Sequence, residues 1–171
     1  MHPAVVESVL KSLVLIVDTR EQDTKRARHR IKRTGLPVFR KALSFGDYSC
    51  LVTLDDGSEL DFSGSVAIER KMNLDEIIDC YTRHRDRFAR EFERAKESNA
   101  KLYLLIENAS WEKAYQGKYR SKMNSNALIA SMTAWLARYN CQIIMCDELT
   151  TPKLIKEILY REAKERLLND G

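Results

Sequence analysis

Apolar side chains follow two rhythms along this chain, and the rhythm changes at short polar breaks. Residues 13–17 and 101–107 are continuous apolar runs of strand length, the pattern of strands covered on both faces. Residues 37–43, 48–54, 58–62, 66–71 and 141–146 also read as strands, and Asp55-Asp56-Gly57 turns 48–54 back into 58–62 as a hairpin. Elsewhere the period lengthens. Ala27 and Ile31 lie four apart in a basic segment over 22–34 that Gly35 closes, and Phe88 and Phe92 share a face after Arg83. Asn73, with Glu76 three residues on, opens another helix directly after the strand at 66–71. Leu128, Met132, Trp135, Leu136 and Tyr139 mark a helix over 125–139. Thr151-Pro152 starts a last one carrying Leu154, Ile155, Ile158 and Leu159. The order is βαβββααβαβα, an α/β arrangement with a central sheet flanked by helices. Residues 1–12 are expected to form a short lead-in and 13–171 a single domain, a size suited to one core.

Composition narrows the compartment and the partner. With 44% hydrophobic and 32% charged residues the chain is that of a folded globular protein. No apolar run approaches the roughly 18 residues that span a bilayer, and residues 1–12 lack a basic start followed by an apolar stretch. A cytoplasmic protein is therefore expected. The four cysteines, Cys50, Cys80, Cys141 and Cys146, include no CxxC pair and no zinc-like His spacing, so they read as reduced, mostly buried thiols. The net charge is only +4, yet residues 20–41 hold nine Lys/Arg against two acids. Such an excess can meet a polyanion.

Candidate chemistry sits where strands end. The apolar Val66-Ala67-Ile68 stops at Glu69-Arg70-Lys71, and strand alternation projects Glu69 and Lys71 from one side and Arg70 from the other. Asp75, in the first helical turn beyond, can fold back toward Arg70 or Lys71. Asp18 and Glu21 follow the buried strand at 13–17, where an α/β sheet usually presents its site; a helix cap with a first-turn acid is the equal alternative. Gly46 permits a bend that re-aims Asp47. The hairpin between them returns the chain so that Asp47 and Glu69 can converge. No strand-helix turn carries GxGxxG or GxxxxGK[ST], which disfavours a nucleotide-binding fold and excludes a motor in these residues.

Val17-Asp18-Thr19-Arg20-Glu21, Gly46-Asp47-Tyr48 and Ile68-Glu69-Arg70-Lys71 followed by Asp75 resemble the nuclease domain of the XPF/Hef family, whose pattern is GD, a variable stretch, then ERKxxxD. The resemblance runs in order from Leu13 to about Leu159. It implies a restriction-endonuclease-like fold, a central mixed β-sheet flanked by helices, and metal-dependent hydrolysis of branched or flap DNA in repair or recombination. By that resemblance Asp47, Glu69 and the main-chain carbonyl of Arg70 hold Mg²⁺, with Mn²⁺ as a substitute and Asp18 as a further candidate ligand. Lys71 orients the attacking water or stabilises the phosphorane, Asp18 and Glu21 are outer acids, and Asp75 steadies the Arg70-Lys71 pair. Oxygen ligands and a nearby cation are what hydrolysis of a phosphodiester asks for.

Grip on DNA is expected from Arg20, Arg26, Arg28, Arg30, Lys32, Arg83, Arg85 and Arg87. Helix-hairpin-helix modules rely on hairpin glycines, and after Gly64 only Gly117 and Gly171 occur. Junction specificity is therefore expected from this domain, from a homodimer through 125–139 and 151–168, or from a helicase or other repair protein in trans. A compact nucleoid-associated protein of bacterial or phage origin suits that architecture. The competing function is a catalytically silent DNA-binding scaffold that positions a partner nuclease.

Overall fold

A computed structural model describes residues 1–169; Asp170 and Gly171, the end of the expected domain, lie outside the described residues. α1 (Pro3–Val9) and a 3₁₀ turn (Leu10–Ser12) lead into β1 (Val14–Asp18), α2 (Lys25–Arg33) and β2 (Val38–Lys41). β3 (Tyr48–Thr53), β4 (Glu59–Asp61) and β5 (Val66–Lys71) follow, then α3 (Leu74–Tyr81), α4 (Arg85–Glu97), β6 (Lys101–Glu107) and α5 (Trp111–Tyr115). α6 (Ser125–Arg138), β7 (Cys141–Cys146) and α7 (Thr151–Asn169) complete the chain.

Four strands separate α2 from α3, as the four segments read from the sequence require and one more than the order βαβββααβαβα counts; β4, within the expected 58–62, is short and exposed and joins the sheet only through β3. α5 was not expected: one turn and a half, capped by Ser110, is too short to display a period. α2 begins three residues later than predicted, since Thr24 is its N-cap and accepts from the Ala27 N–H at 3.1 Å. Asn73 caps α3 as expected, accepting from Glu76 N–H at 2.9 Å.

The strands form one seven-stranded mixed sheet in the order β2-β1-β3-β5-β6-β7, with β4 beside β3. β1 is parallel to β2, and β5, β6 and β7 are mutually parallel, whereas β3 runs against both β1 and β5. Five strands therefore end, and β3 begins, along one edge of the sheet. Every strand-end motif found in the sequence meets there.

Alternation along β5 divides the core. Ala67 faces α3, α4 and α6 with Ile77, Phe88, Phe92, Leu128, Met132 and Trp135, while Val66 and Ile68 face α1, α2 and α7 with Val6, Ile31, Ile155 and Leu159. Val6 is fully buried, so the lead-in packs into the same core. Trp135 is 2% exposed and is ringed by Tyr81, Phe88, Phe92 and Tyr139 at centroid distances of 4.9, 5.6, 6.0 and 5.5 Å. Most of the apolar surface expected to face a second subunit is thus buried within one. Cys50, Cys80 and Cys141 are buried free thiols, as expected. Among the described residues no helix is long and apolar enough to cross a membrane.

Gly46 turns the chain into β3 at φ +75°, and a Cβ there would lie 2.7 Å from Ala67 Cβ and 3.2 Å from the Ile68 oxygen. Gly46→Ala should therefore destabilise the protein by about 2–5 kcal/mol, left-handed strain adding to the clash. Gly35→Ala, at φ +70° with open space around it, should lose only about 1–2 kcal/mol. Urea denaturation midpoints of both variants check the difference.

Candidate active site

Asp47 is clamped between two strands before its side chain is considered. Its N–H donates to the Ile68 carbonyl on β5 at 2.8 Å, and its carbonyl accepts from Asp18 N–H at the end of β1 at 2.9 Å. One carboxylate oxygen accepts from Arg70 N–H at 2.7 Å. The Gly46 bend is fixed from the other side by Glu91 on α4, which accepts the Gly46 N–H at 2.7 Å.

The end of β5 behaves as strand alternation requires. Lys71 Nζ donates to Glu69 on one face, above the Phe88 ring at 5.5 Å. Arg70 crosses to the other face and binds Glu107, at the end of β6, through two bonds of 3.0 and 3.1 Å. Asp47, Glu69 and Lys71 consequently share an open cleft of about 710 Å³ at the sheet edge, with Arg26, Arg87 and Arg94 also lining it.

The two acids are held under tension. Burial pushes the Asp47 pKa well above the ordinary carboxylate range, and the Glu69 charge adds to it, partly relieved by Lys71 and the Arg70 N–H. Glu69 is raised too, first by burial and then by Glu91, against the opposing pull of Lys71. Burial works against the Lys71 ammonium, but Glu69 and Asp47 outweigh it and raise its pKa. One lysine does not neutralise this acidic group. A further positive charge beside it would be stabilised.

Other residues expected in the site are placed differently. Both oxygens of Asp18 are occupied: Arg20 binds them at 2.9 and 2.7 Å, and the N–H groups of Arg20 and Leu43 donate at 2.6 and 2.9 Å. Burial alone would raise its pKa, but these donors lower it. Asp18 is a structural anchor rather than an open ligand, and Arg20, which it holds, lines the cleft with its side chain 64% exposed.

Glu21 lines the cleft but pairs with Arg30 at 3.0 Å, whose Nε donates to the Tyr48 hydroxyl at 3.0 Å. Arg30, 7% exposed, therefore cannot grip phosphate as expected: α2 turns it inward against β3. Asp75 does not reach Arg70 or Lys71. It accepts from the N–H groups of Arg120 at 3.0 Å and Ser121 at 2.7 Å, fastening the loop before α6 to the start of α3. Its role beside Arg70 is filled by Glu107.

Of the remaining cations proposed for DNA, Arg26 and Arg87 line the cleft. Arg28 is paired with Asp23 at 3.0 Å and Arg83 with Asp79 at 3.6 Å, both on the surface. Lys32 and Arg85 are exposed outside the cleft. Glu91 and Glu107 are neighbours of the site that the sequence does not single out, while Arg94, one of the helix arginines available for phosphate, lines the cleft. Arg87, Glu91 and Arg94 recur at i, i+4 and i+7 beside the buried Phe88 and Phe92, a stripe that was there to be read.

A mixed sheet of this topology, with a carboxylate pair and a lysine at its common edge, is a restriction-endonuclease-like fold. The ERCC4 domain family model matches residues 17–155, and the chain belongs to that family, the XPF-type nuclease domains that the sequence resembles. Among solved structures, XPF from Aeropyrum pernix superposes with a TM-score of 0.62 at 20% identity, over 87% of this chain and 61% of that one. The chain thus spans about three-fifths of the length of that relative. No curated protein matches the sequence.

Proposed function

We propose that this chain is a Mg²⁺-dependent endonuclease that hydrolyses phosphodiester bonds in branched or flap DNA. The observation that carries the reading is the convergence of Asp47 and Glu69, both less acidic than usual through burial, with the Lys71 ammonium in one open cleft. Among the described residues no three acidic, imidazole or thiol side chains form a ready cage. The fit is accordingly two carboxylates and the Arg70 carbonyl, the remaining places being left to water, as Mg²⁺ prefers. Bound there, Mg²⁺ or Mn²⁺ would supply Lewis-acid charge and an activated water. Lys71, fixed by Glu69, holds its ammonium toward the phosphate and its developing charge. Arg26, Arg87 and Arg94 neutralise flanking phosphates, which favours recognition of backbone shape over base sequence.

The sign of the electrostatics gives the test. Carboxyls with raised native pKa values keep their protons longer in the folded protein than in the unfolded chain. Stability is therefore lost as pH rises from about 4 through those native values. Asp47→Asn removes one of the repelling charges. In EDTA at pH 8 it should melt higher than the wild type by about 2–6 °C, and at pH 4 the two should coincide. Adding Mg²⁺ or Mn²⁺ at pH 8 should raise the wild-type melting temperature and leave the variant unmoved. A metal shift of equal size in both proteins would remove Asp47 from the metal site.

Pairing of two chains through α6 and α7 belongs to the same proposal. After the core is packed, half-buried Ile129, 37%-exposed Leu136 and the half-open edge strand β7 remain on that side. Doubling the domain would present two such clefts to one branch, with a helicase or other repair protein adding grip in trans. Light scattering at micromolar concentration should give twice the chain mass, falling to one chain on Leu136→Asp. A single-chain mass with and without branched DNA would rule the homodimer out.

A further inference from the structure

A second cavity opens behind the candidate active site, on the face of the sheet that Arg70 enters. It has a volume of about 360 Å³, lies between α2 and the turn before α7, and shares Arg26, Arg30 and Arg70 with the catalytic cleft. On one side α2 presents Lys25, His29 and Arg33, spaced four residues apart along a single stripe, together with Arg26. All of these are exposed, and among the described residues none of Lys25, Arg26 or Arg33 has an ion-pair partner. The opposite wall is Leu149 and Pro152.

Leu149 is the most exposed large aliphatic side chain described, at 62%, and a loose turn is not the reason. The turn is fastened at each residue. Leu149 N–H donates to the Asp147 carboxylate at 2.8 Å, Thr150 N–H to the Asp147 carbonyl at 2.9 Å, and Glu148 N–H to the Asn108 side chain at 3.3 Å. Asn108 is itself held on Cys146 in a left-handed conformation at φ 53°. An apolar side chain is thus presented to water by a rigid support, opposite unpaired cations.

We propose that this cavity binds a nucleotide of the unpaired strand of a branched DNA, its phosphate on Lys25 and Arg33 and its base against Leu149 and Pro152. The volume is that of one nucleotide rather than a duplex, which would demand a groove. A path from the active site exists: Arg26, exposed and without an ion-pair partner among the described residues, lines both the catalytic cleft and this cavity, so a strand leaving Lys71 meets a free cation between the two. Of the acids in the wall, Glu107 is bound to Arg70, and only Glu148 faces the phosphate unpaired. Repulsion from Glu148 would make the pocket reject a doubly charged terminal phosphate more than the singly charged diester of a continuous strand. The inference rests on the endonuclease reading for its ligand, and it concerns affinity for a strand rather than the chemistry at Asp47.

The full chain carrying Glu69→Gln, which can bind without cutting, separates the possibilities by fluorescence anisotropy in EDTA. The probes are a labelled duplex with a ten-nucleotide thymidine arm and the same duplex with blunt ends. Arg33→Ala with Leu149→Ser should weaken binding of the armed duplex about tenfold and leave the blunt duplex within twofold, as loss of one phosphate contact and one base contact requires. Glu148→Gln, which keeps the fold and removes the repulsion, should tighten the armed duplex only. Equal loss on both probes, or no loss on either, overturns the proposal. Should the wild-type chain bind neither probe and cut no branched DNA, the endonuclease reading fails. If it cuts branched DNA while the two variants leave arm binding unchanged, this pocket alone is wrong.

Discussion

Cleavage of an end-labelled flap should fall by at least about a thousandfold in Asp47→Asn or Glu69→Gln protein, and by about a hundredfold or more in Lys71→Ala. Each change removes a group that faces the cleft, and none removes a side chain from the hydrophobic core. The asymmetry has a cause in the geometry. Either carboxylate variant loses half of the acidic side-chain donors, whereas Lys71→Ala leaves both donors and removes the charge beside the phosphate. It also leaves Glu69 buried without its ion-pair partner, raising that carboxyl further. Lys71→Ala should consequently shift its cleavage optimum to higher pH, which Lys71→Met, equally uncharged, should reproduce. Retention of wild-type cleavage by any of the three would take that residue out of the reaction. Circular dichroism of each variant separates lost chemistry from lost fold.

Glu107→Ala should have the largest effect on stability, about 3–5 kcal/mol, and lower the melting temperature on the order of 10 °C. Glu107 is 1% exposed and answers Arg70 with both oxygens, so its removal strands a guanidinium of which little is open to water. Glu107→Gln keeps one acceptor and the packing and should lose less. The pair also joins the ends of β5 and β6, which fixes the height at which Glu69 and Lys71 stand. Cleavage should therefore fall with Glu107→Ala even at temperatures where the variant is folded. Equal melting temperatures for wild type and Glu107→Ala would show that Arg70 finds another partner and that the strand ends do not depend on the pair.

What the sequence revealed depended on how locally each feature was encoded. The opposed directions of Glu69 and Arg70 follow from strand alternation alone, and the Gly46 bend before Asp47 needed only a glycine at the right place. Buried strands such as β1 and β6 announced themselves because two covered faces leave no polar position. Partners drawn from distant elements could not be read in this way. Arg30 looked like one more surface cation until α2 was laid against Tyr48 and Glu21. Asp75 was assigned to the nearest cations in sequence, whereas the N–H groups it accepts from lie 45 and 46 residues further along. Glu91 meets Gly46 across the same separation of 45 residues, and only the Arg87-Glu91-Arg94 stripe hinted at it. Trp135 was offered to a second subunit because a helical pattern records that a face is apolar without recording what covers it.

The most direct test maps the products of wild-type protein on end-labelled forks, flaps and four-way junctions, with Mg²⁺, with Mn²⁺ and in EDTA, alongside binding to the same substrates. The expected result is a cut in one strand close to the branch, present with either metal, absent in EDTA and absent from unbranched duplex. Branched DNA that is bound but left intact in both metals would make the chain a silent scaffold, and cleavage undiminished by EDTA would contradict the metal-bearing roles of Asp47 and Glu69.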